Sequence, residues 1–295
     1  MAVKYGAIEA GGTKFVCAVG TADENNHVTV EKRVKIPTTV PEETMADVFA
    51  FFEENPVDAI GIASFGPIDI NKSSATYGYI TTTPKPGWAN YDFLGEMKKR
   101  FAVPYGWTTD VNGAAYGELK CGAAKGLTSC LYLTVGTGVG GGAVVNGKIL
   151  EGYGHPEMGH IIMRRHPDDH YEGHCPYHHD CLEGLTAGPA VEARQGGVKA
   201  YDIPEDDHAW DIEAYYLAQA CVDFTTILSP EMIIFGGGVS HQEHLFPKIR
   251  QSFAKQLNNY LKTPDLDKYI VHCALGDDAG ITGCLLLARD AMNEA

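Results

Sequence analysis

One device recurs in this chain and limits its fold more than any other feature. Tyr5-Gly-Ala-Ile-Glu-Ala-Gly-Gly-Thr-Lys-Phe-Val-Cys-Ala-Val19 reads as strand, glycine turn with a threonine, strand. Leu131-Tyr-Leu-Thr-Val-Gly-Thr-Gly-Val-Gly-Gly-Gly-Ala-Val-Val145 repeats that form. Two distant copies of one hairpin predict a duplicated fold with a cleft between halves and a boundary near residue 112. Around the copies, strand-like runs at 28–35, 59–64 and 105–109 alternate with helical runs at 41–54, 91–101 and 113–121, with Thr39 as a cap ahead of Pro41. That mixture is α/β. At 295 residues and 44% apolar the chain can bury one large core or two ordinary ones.

The glycine segments admit three readings. Gly136-Thr-Gly-Val-Gly-Gly141 satisfies the dinucleotide fingerprint, but that fingerprint needs a helix straight after its glycines. Here Gly142-Ala-Val-Val145 and then Asn146-Gly147 follow, and Asn-Gly between apolar runs signals a hairpin. A Walker loop fails as well, because Gly12-Thr13-Lys14 stands where Gly-Lys-Ser/Thr is required. What remains is a pair of hairpin turns offering backbone N–H groups to phosphate oxygens: Gly11, Gly12 and Thr13 with Lys14 beside them, and Gly136, Thr137 and Gly138 with Thr134 before them. Ordinary hairpin turns are the plain alternative for either segment alone; the matched pair favours phosphate. A third cluster, Gly236-Gly237-Gly238, follows a buried strand at 231–235 and precedes Ser240-His-Gln-Glu243, which has the form of a capping box opening a helix.

Asp110 ends the strand at 105–109 and precedes a helix, where it serves as either a cap or a cleft-facing carboxylate. Seven of the twelve histidines lie between His155 and His179. Within that stretch Cys175-Pro-Tyr-His-His-Asp-Cys181 sets ligand types at i, i+3 and i+6, and His160 stands fifteen residues upstream. Cys₂His₂ donors at such spacing suit a closed tetrahedral zinc site formed by His160, Cys175, His178 and Cys181, with His174 and His179 competing for the His178 place.

Six motifs in order, Glu9-Ala-Gly-Gly-Thr-Lys14, Ser64-Phe-Gly-Pro-Ile-Asp69, Thr109-Asp-Val-Asn112, Thr134 to Gly141, Glu157-Met-Gly-His160 and Phe235-Gly-Gly-Gly-Val239, resemble the ROK family of sugar kinases. Ile8 to Cys17 and Cys175-Pro-Tyr-His178 are similar to its fructokinase branch. The resemblance implies a two-domain, actin-like (ribonuclease H-like) sugar-kinase fold with an interdomain cleft. Its halves would be 1–112 and 113–295, the C-terminal helix free to pack back on the first. It implies phosphoryl transfer from ATP to a hexose, fructose to fructose 6-phosphate first, with glucose, mannose or N-acetylmannosamine as alternatives. Asp110 matches the family's catalytic base, and Gly66, Asn112, Glu157, His160 and Glu183 its sugar contacts, while Asp69 is as well suited to a turn. The nucleotide falls to Gly11, Gly12, Thr13, Lys14, Thr134, Gly136, Thr137, Gly138 and Gly236–Gly238. Cofactors would be Mg²⁺ and a structural Zn²⁺. Glu9 departs from the superfamily's usual aspartate, which leaves the Mg²⁺ ligands open.

Charge fits that expectation. The formal net charge of −15 makes nucleic acid and anionic lipid poor partners. No apolar run is long enough to span a bilayer, and no signal peptide precedes the first strand. The family also holds sugar-responsive repressors with a helix-turn-helix before the first hairpin; with four residues ahead of Tyr5, none is expected here. The eight cysteines form no disulfide framework, so a reducing, cytoplasmic setting and a homodimer, common in the family, complete the expectation.

Overall fold

Each copy of the repeated segment folds as an antiparallel hairpin inside its own five-stranded sheet. The computed structural model describes residues 3–295. In chain order the elements are β1 (Tyr5–Ala10), β2 (Lys14–Ala22), β3 (Val28–Pro37), α1 (Pro41–Glu54), β4 (Ala59–Ser64), α2 (Phe93–Arg100), β5 (Tyr105–Thr109) and α3 (Asp110–Cys121). There follow β6 (Cys130–Val135), β7 (Val139–Val145), β8 (Lys148–Ile149), α4 (Leu182–Thr186), α5 (Gly188–Arg194) and α6 (Ala209–Leu228). The chain ends with β9 (Met232–Gly236), α7 (Leu245–Leu257), α8 (Leu266–Tyr269), β10 (Ile270–His272) and α9 (Ala279–Glu294).

The two sheets share one topology. The first runs β3-β2-β1-β4-β5 and the second β8-β7-β6-β9-β10. In each, a hairpin pairs antiparallel (β1 with β2, β6 with β7), and two further strands are added in parallel on its first strand. The echo seen over fifteen residues therefore extends to whole sheets. Contacts group the chain into two compact units: one reaches Gly126 and adds 149–156 and 274–295, and the other takes Leu127–Lys148 and Glu157–Cys273.

The first unit holds more of the chain than a boundary near residue 112 allows, and the reason is a seam of small residues. A Cβ on Gly117 would strike the carbonyl of Ala279, and one on Gly283 the carbonyl of Gly113. The backbones of α3 and α9 thus meet directly, which only glycine permits. In the sheet beneath, a Cβ on Gly106 would lie 2.9 Å from Leu287, so α9 also lies close on the strands. The opposite face buries Phe15, Trp88 and Phe93, with ring centroids 5.3 Å apart for Phe15 and Trp88. Trp88 is fully buried and donates its indole N–H to the carbonyl of Thr39 at 2.7 Å. Thr39 does not cap α1: the cap position is Val40, without a side-chain bond.

The second unit packs α6 against α7 and α4. A buried ionic group sits in that packing. Arg194 donates to Asp169 at 3.1 and 3.2 Å and to the carbonyl of Leu185 at 2.7 Å. Glu213 on α6 is fully buried, its carboxylate 4.0 Å from Arg194 and both its oxygens without a hydrogen-bond partner. Burial, aided by the charge of Asp169, pushes the Glu213 carboxyl up to about 8 against the pull of Arg194. Among the described residues no helix is long and apolar enough to cross a membrane, and the eight cysteines are free thiols.

An acid raised in this way contributes stability that is complete below about 4.5 and is lost as pH climbs through about 8. Glu213→Gln keeps the shape of the neutral form and removes the titration. Thermal melts should place it a few degrees above wild type at pH 8.5, on the order expected for about 1 kcal/mol, with the gap closing towards pH 5.

Candidate active site

In the first unit the β1–β2 turn is Gly11-Gly12-Thr13. Gly11 N–H donates to the carbonyl of Lys14 at 3.0 Å, closing the hairpin. Thr38 braces it, its hydroxyl donating to the Gly11 carbonyl at 2.7 Å and its N–H to that of Thr13 at 3.0 Å. Gly12, Thr13 and Lys14 are left exposed. Glu9 lies at the end of β1, and its carboxyl fills the space over Gly280, where a Cβ would come within 2.5 Å. Burial first, and the charge of Asp110 next, push Glu9 up to about 7, opposed by Arg33 and Lys14. Glu9 and Asp110 are thus electrostatic neighbours.

The register of β5 on β4 brings Thr109 level with Ser64, and α3 starts at the next residue. Thr109 is the cap: its hydroxyl accepts the N–H of Asn112 at 3.3 Å. Asp110 is the first helical residue and accepts the N–H of Val111 at 2.9 Å. The helix begins three residues before the span expected at 113–121. Asn112 is buried and donates its amide to the Thr108 hydroxyl at 3.2 Å, bracing the strand end. Gly66 follows Phe65, whose N–H reaches the Ala10 carbonyl at 2.7 Å, so the turn hangs from β1. Asp69 takes a turn role, accepting from Asn71 at 2.9 Å and Thr76 at 2.7 Å. Sequence reasoning passed over His155, whose Nε2 accepts the N–H of Ile68 at 3.0 Å.

In the second unit three segments meet at the β6–β7 turn. Gly136 N–H closes it onto the Gly138 carbonyl at 2.9 Å, with Thr137 exposed and Thr134 half-buried on β6. A Cβ placed on Gly136 would lie 3.7 Å from the Gly238 nitrogen, so the glycine turn after β9 abuts it. Gly237 has φ 84° and a Cβ there would meet the Val135 carbonyl at 2.6 Å, so glycine is required. The Ser240–Glu243 box does not open a helix. Val239–His241 make a 3-10 turn, the chain leaves helical geometry at Gln242, and α7 starts only at Leu245 with no side-chain cap; the Ser240 side chain lies outside the described residues. The Glu157–His160 turn packs on β7, where a Cβ on Gly141 would come 2.7 Å from Met158. Glu183 accepts the N–H of Val139 at 3.0 Å.

His160, Cys175, His178 and Cys181 gather one ligand atom each within 4.8 Å of one another. His160 Nδ1 is 3.7 Å from the Cys175 sulfur and 3.5 Å from that of Cys181, and His178 Nδ1 is 3.8 Å from Cys175. Metal–sulfur and metal–nitrogen bonds of zinc at a tetrahedral angle put S and N about 3.6 Å apart, so the donor set fits that ion. His174 and His179 lie outside the group; each is held through its backbone, to Gly184 and Cys175.

A family model described as the ROK family matches residues 5–291, and the chain belongs to that family. A fructokinase of Pediococcus pentosaceus is 53% identical over 290 residues, covering 98% of this chain and 99% of its own. A fructokinase of Streptococcus mutans is 48% identical and covers 98% of each chain. Among solved structures, a ROK hexokinase from Thermus thermophilus superposes with a TM-score of 0.81 at 25% identity over the full length of both chains. The fold is therefore the actin-like fold of ROK sugar kinases.

Thr109→Ala should destabilise the protein by about 1 kcal/mol through loss of the α3 cap. Asp110→Asn should leave the denaturation midpoint nearly unchanged, since asparagine keeps the side chain's shape and an oxygen to accept the Val111 N–H. Chemical denaturation of the two variants measures both.

Proposed function

We propose that the chain is an ATP-dependent fructokinase, transferring the γ-phosphoryl group to the 6-hydroxyl of D-fructose. The observation that carries this reading is the set of fructokinases 44–53% identical over 92–98% of the chain. The geometry supports it. Phosphoryl transfer requires positioning, charge neutralisation and a group for the hydroxyl proton. Asp110, at a strand's carboxyl end and relieved of capping by Thr109, takes that proton as the sugar oxygen attacks phosphorus and the bond to the departing ADP breaks.

The exposed turns at Gly11, Gly12, Thr13 and Lys14 and at Gly136, Thr137 and Gly138, the latter with Thr134, hold the phosphates, and Gly236–Gly238 wall the nucleoside. Gly66, Asn112, Glu157, His160 and Glu183 contact the sugar. His160 combines this with the metal cluster, and Asn112, with one amide N–H engaged by Thr108, has a second N–H and a carbonyl oxygen as further hydrogen-bonding groups. Mg²⁺ supplies charge neutralisation at the phosphates when bound. Glu9 is the carboxyl suited to its water shell, and it becomes anionic as pH rises through about 7. His160, Cys175, His178 and Cys181 would hold a zinc ion in a structural role, since four protein donors of this kind suit a closed site. A cytoplasmic homodimer is the assembly this reading carries.

A coupled assay with fructose, mannose, glucose and N-acetylmannosamine tests the substrate; fructose should give the highest kcat/KM, and another sugar ahead of it would move the chain to another branch. Asp110→Asn should lower kcat by about 10²–10⁴ with melting temperature and zinc content unchanged, and near-normal turnover would remove Asp110 from its role. Elemental analysis should find one zinc per chain.

A further inference from the structure

We infer that Glu183 positions the second glycine turn for the nucleotide and that the Cys/His cluster holds Glu183 in place, so that metal occupancy and ATP affinity are linked. The inference rests on the reading of that turn as a phosphate site.

Glu183 is the second residue of α4, which begins directly after Cys181. Its first turn is fastened on both sides by the segments that carry the cluster. Leu182 N–H donates to the Ile161 carbonyl at 2.9 Å, next to His160, and His174 N–H donates to the Gly184 carbonyl at 2.8 Å, next to Cys175. A Cβ on Gly184 would lie 3.2 Å from that of Cys175 and would strike the His179 carbonyl. Glu183 therefore has little freedom to move apart from the cluster.

The same carboxylate meets the turn. Oε2 accepts the N–H of Val139, the first residue after the turn, and lies 2.7 Å from where a Cβ on Gly138 would stand. The other end is held by Gly188, whose N–H donates to the Gly136 carbonyl at 2.7 Å, and Ala187 N–H returns to the Glu183 carbonyl at 3.0 Å. The α4–α5 segment thus brackets the turn at both ends. Under the proposed function Glu183 also contacts the sugar, so one side chain would serve both substrates.

Charge and geometry oppose each other at Glu183. A carboxylate beside a phosphate turn repels ATP, while its charge-assisted bond orders the amides that bind ATP. If ordering dominates, removing the acceptor weakens binding and removing only the charge does not. Titration calorimetry with Mg-ATP and no sugar, with zinc measured on each sample, decides this. Glu183→Ala should raise Kd by about tenfold or more, the loss of one charge-assisted bond, with zinc retained. Glu183→Gln should bind as well as wild type or better. Chelated wild type should weaken like the alanine variant, and chelation should weaken that variant no further. If chelation unfolds the second unit, the two variants decide the outcome alone.

Alanine and wild-type affinities that agree would overturn the inference, as would alanine and glutamine variants that both bind tighter. Hydrogen exchange at 136–139 in wild type adds a test without mutation: protection that is unchanged on chelation of a still-folded protein also sinks it. Wild type that binds no ATP would instead fail the kinase reading itself.

Discussion

The antiparallel pairing of β1 with β2 and of β6 with β7 is the constraint on which the rest depends. It fixes the two glycine turns at the ends of their sheets and leaves their outer residues exposed, while neighbouring segments brace them from beneath. Thr38 does this for the first turn; Glu183 and Gly188 do it for the second. In both cases the bracing groups satisfy the inward-facing backbone and hold its shape before any ligand arrives. Preorganised amides of this kind bind anions without further loss of backbone freedom.

The acidic surface makes that preorganisation matter. With a formal net charge of −15 the protein offers ATP no general attraction, so affinity must come from local donors. Around the first turn the structure adds a carboxyl whose charge is adjustable: Glu9, pressed against Gly280 and beside Asp110, ionises only near neutral pH. The glycine at the head of α9 is what makes room for the longer acid.

Much of this was legible in the residues. The strands at 59–64 and 105–109 match the structure residue for residue, and Asn146-Gly147 forms the expected tight turn with φ of 51° and 77°. Alternation and turn chemistry are local, so a sequence displays them. What failed depended on tertiary packing. The Ser240–Glu243 pattern satisfies the rule for a helix start, yet the chain there forms a 3-10 turn and a non-helical residue, Gln242, before α7. The start of α3 at Asp110 depended on Thr109 supplying the cap. The α3–α9 seam could not be read either: Gly117 meets Ala279 and Gly283 meets Gly113, pairs that lie at opposite ends of the chain. Of the site, the residue types were readable, but not the bond from Glu183 to Val139, which joins residues 44 apart.

The interleaving of the first unit shapes how such a chain can be made. Its sheet comes from the first 126 residues, but α9, which covers one face of that sheet, is made only after the whole second unit. The second unit, from Leu127 to Cys273 apart from one short excursion, is complete before that helix exists. During synthesis β1, β4 and β5 must wait with an uncovered apolar face while the later half assembles. A truncation that removes only α9 would strip the earliest-made sheet of its cover, and the aggregation that follows would begin at the amino-terminal end.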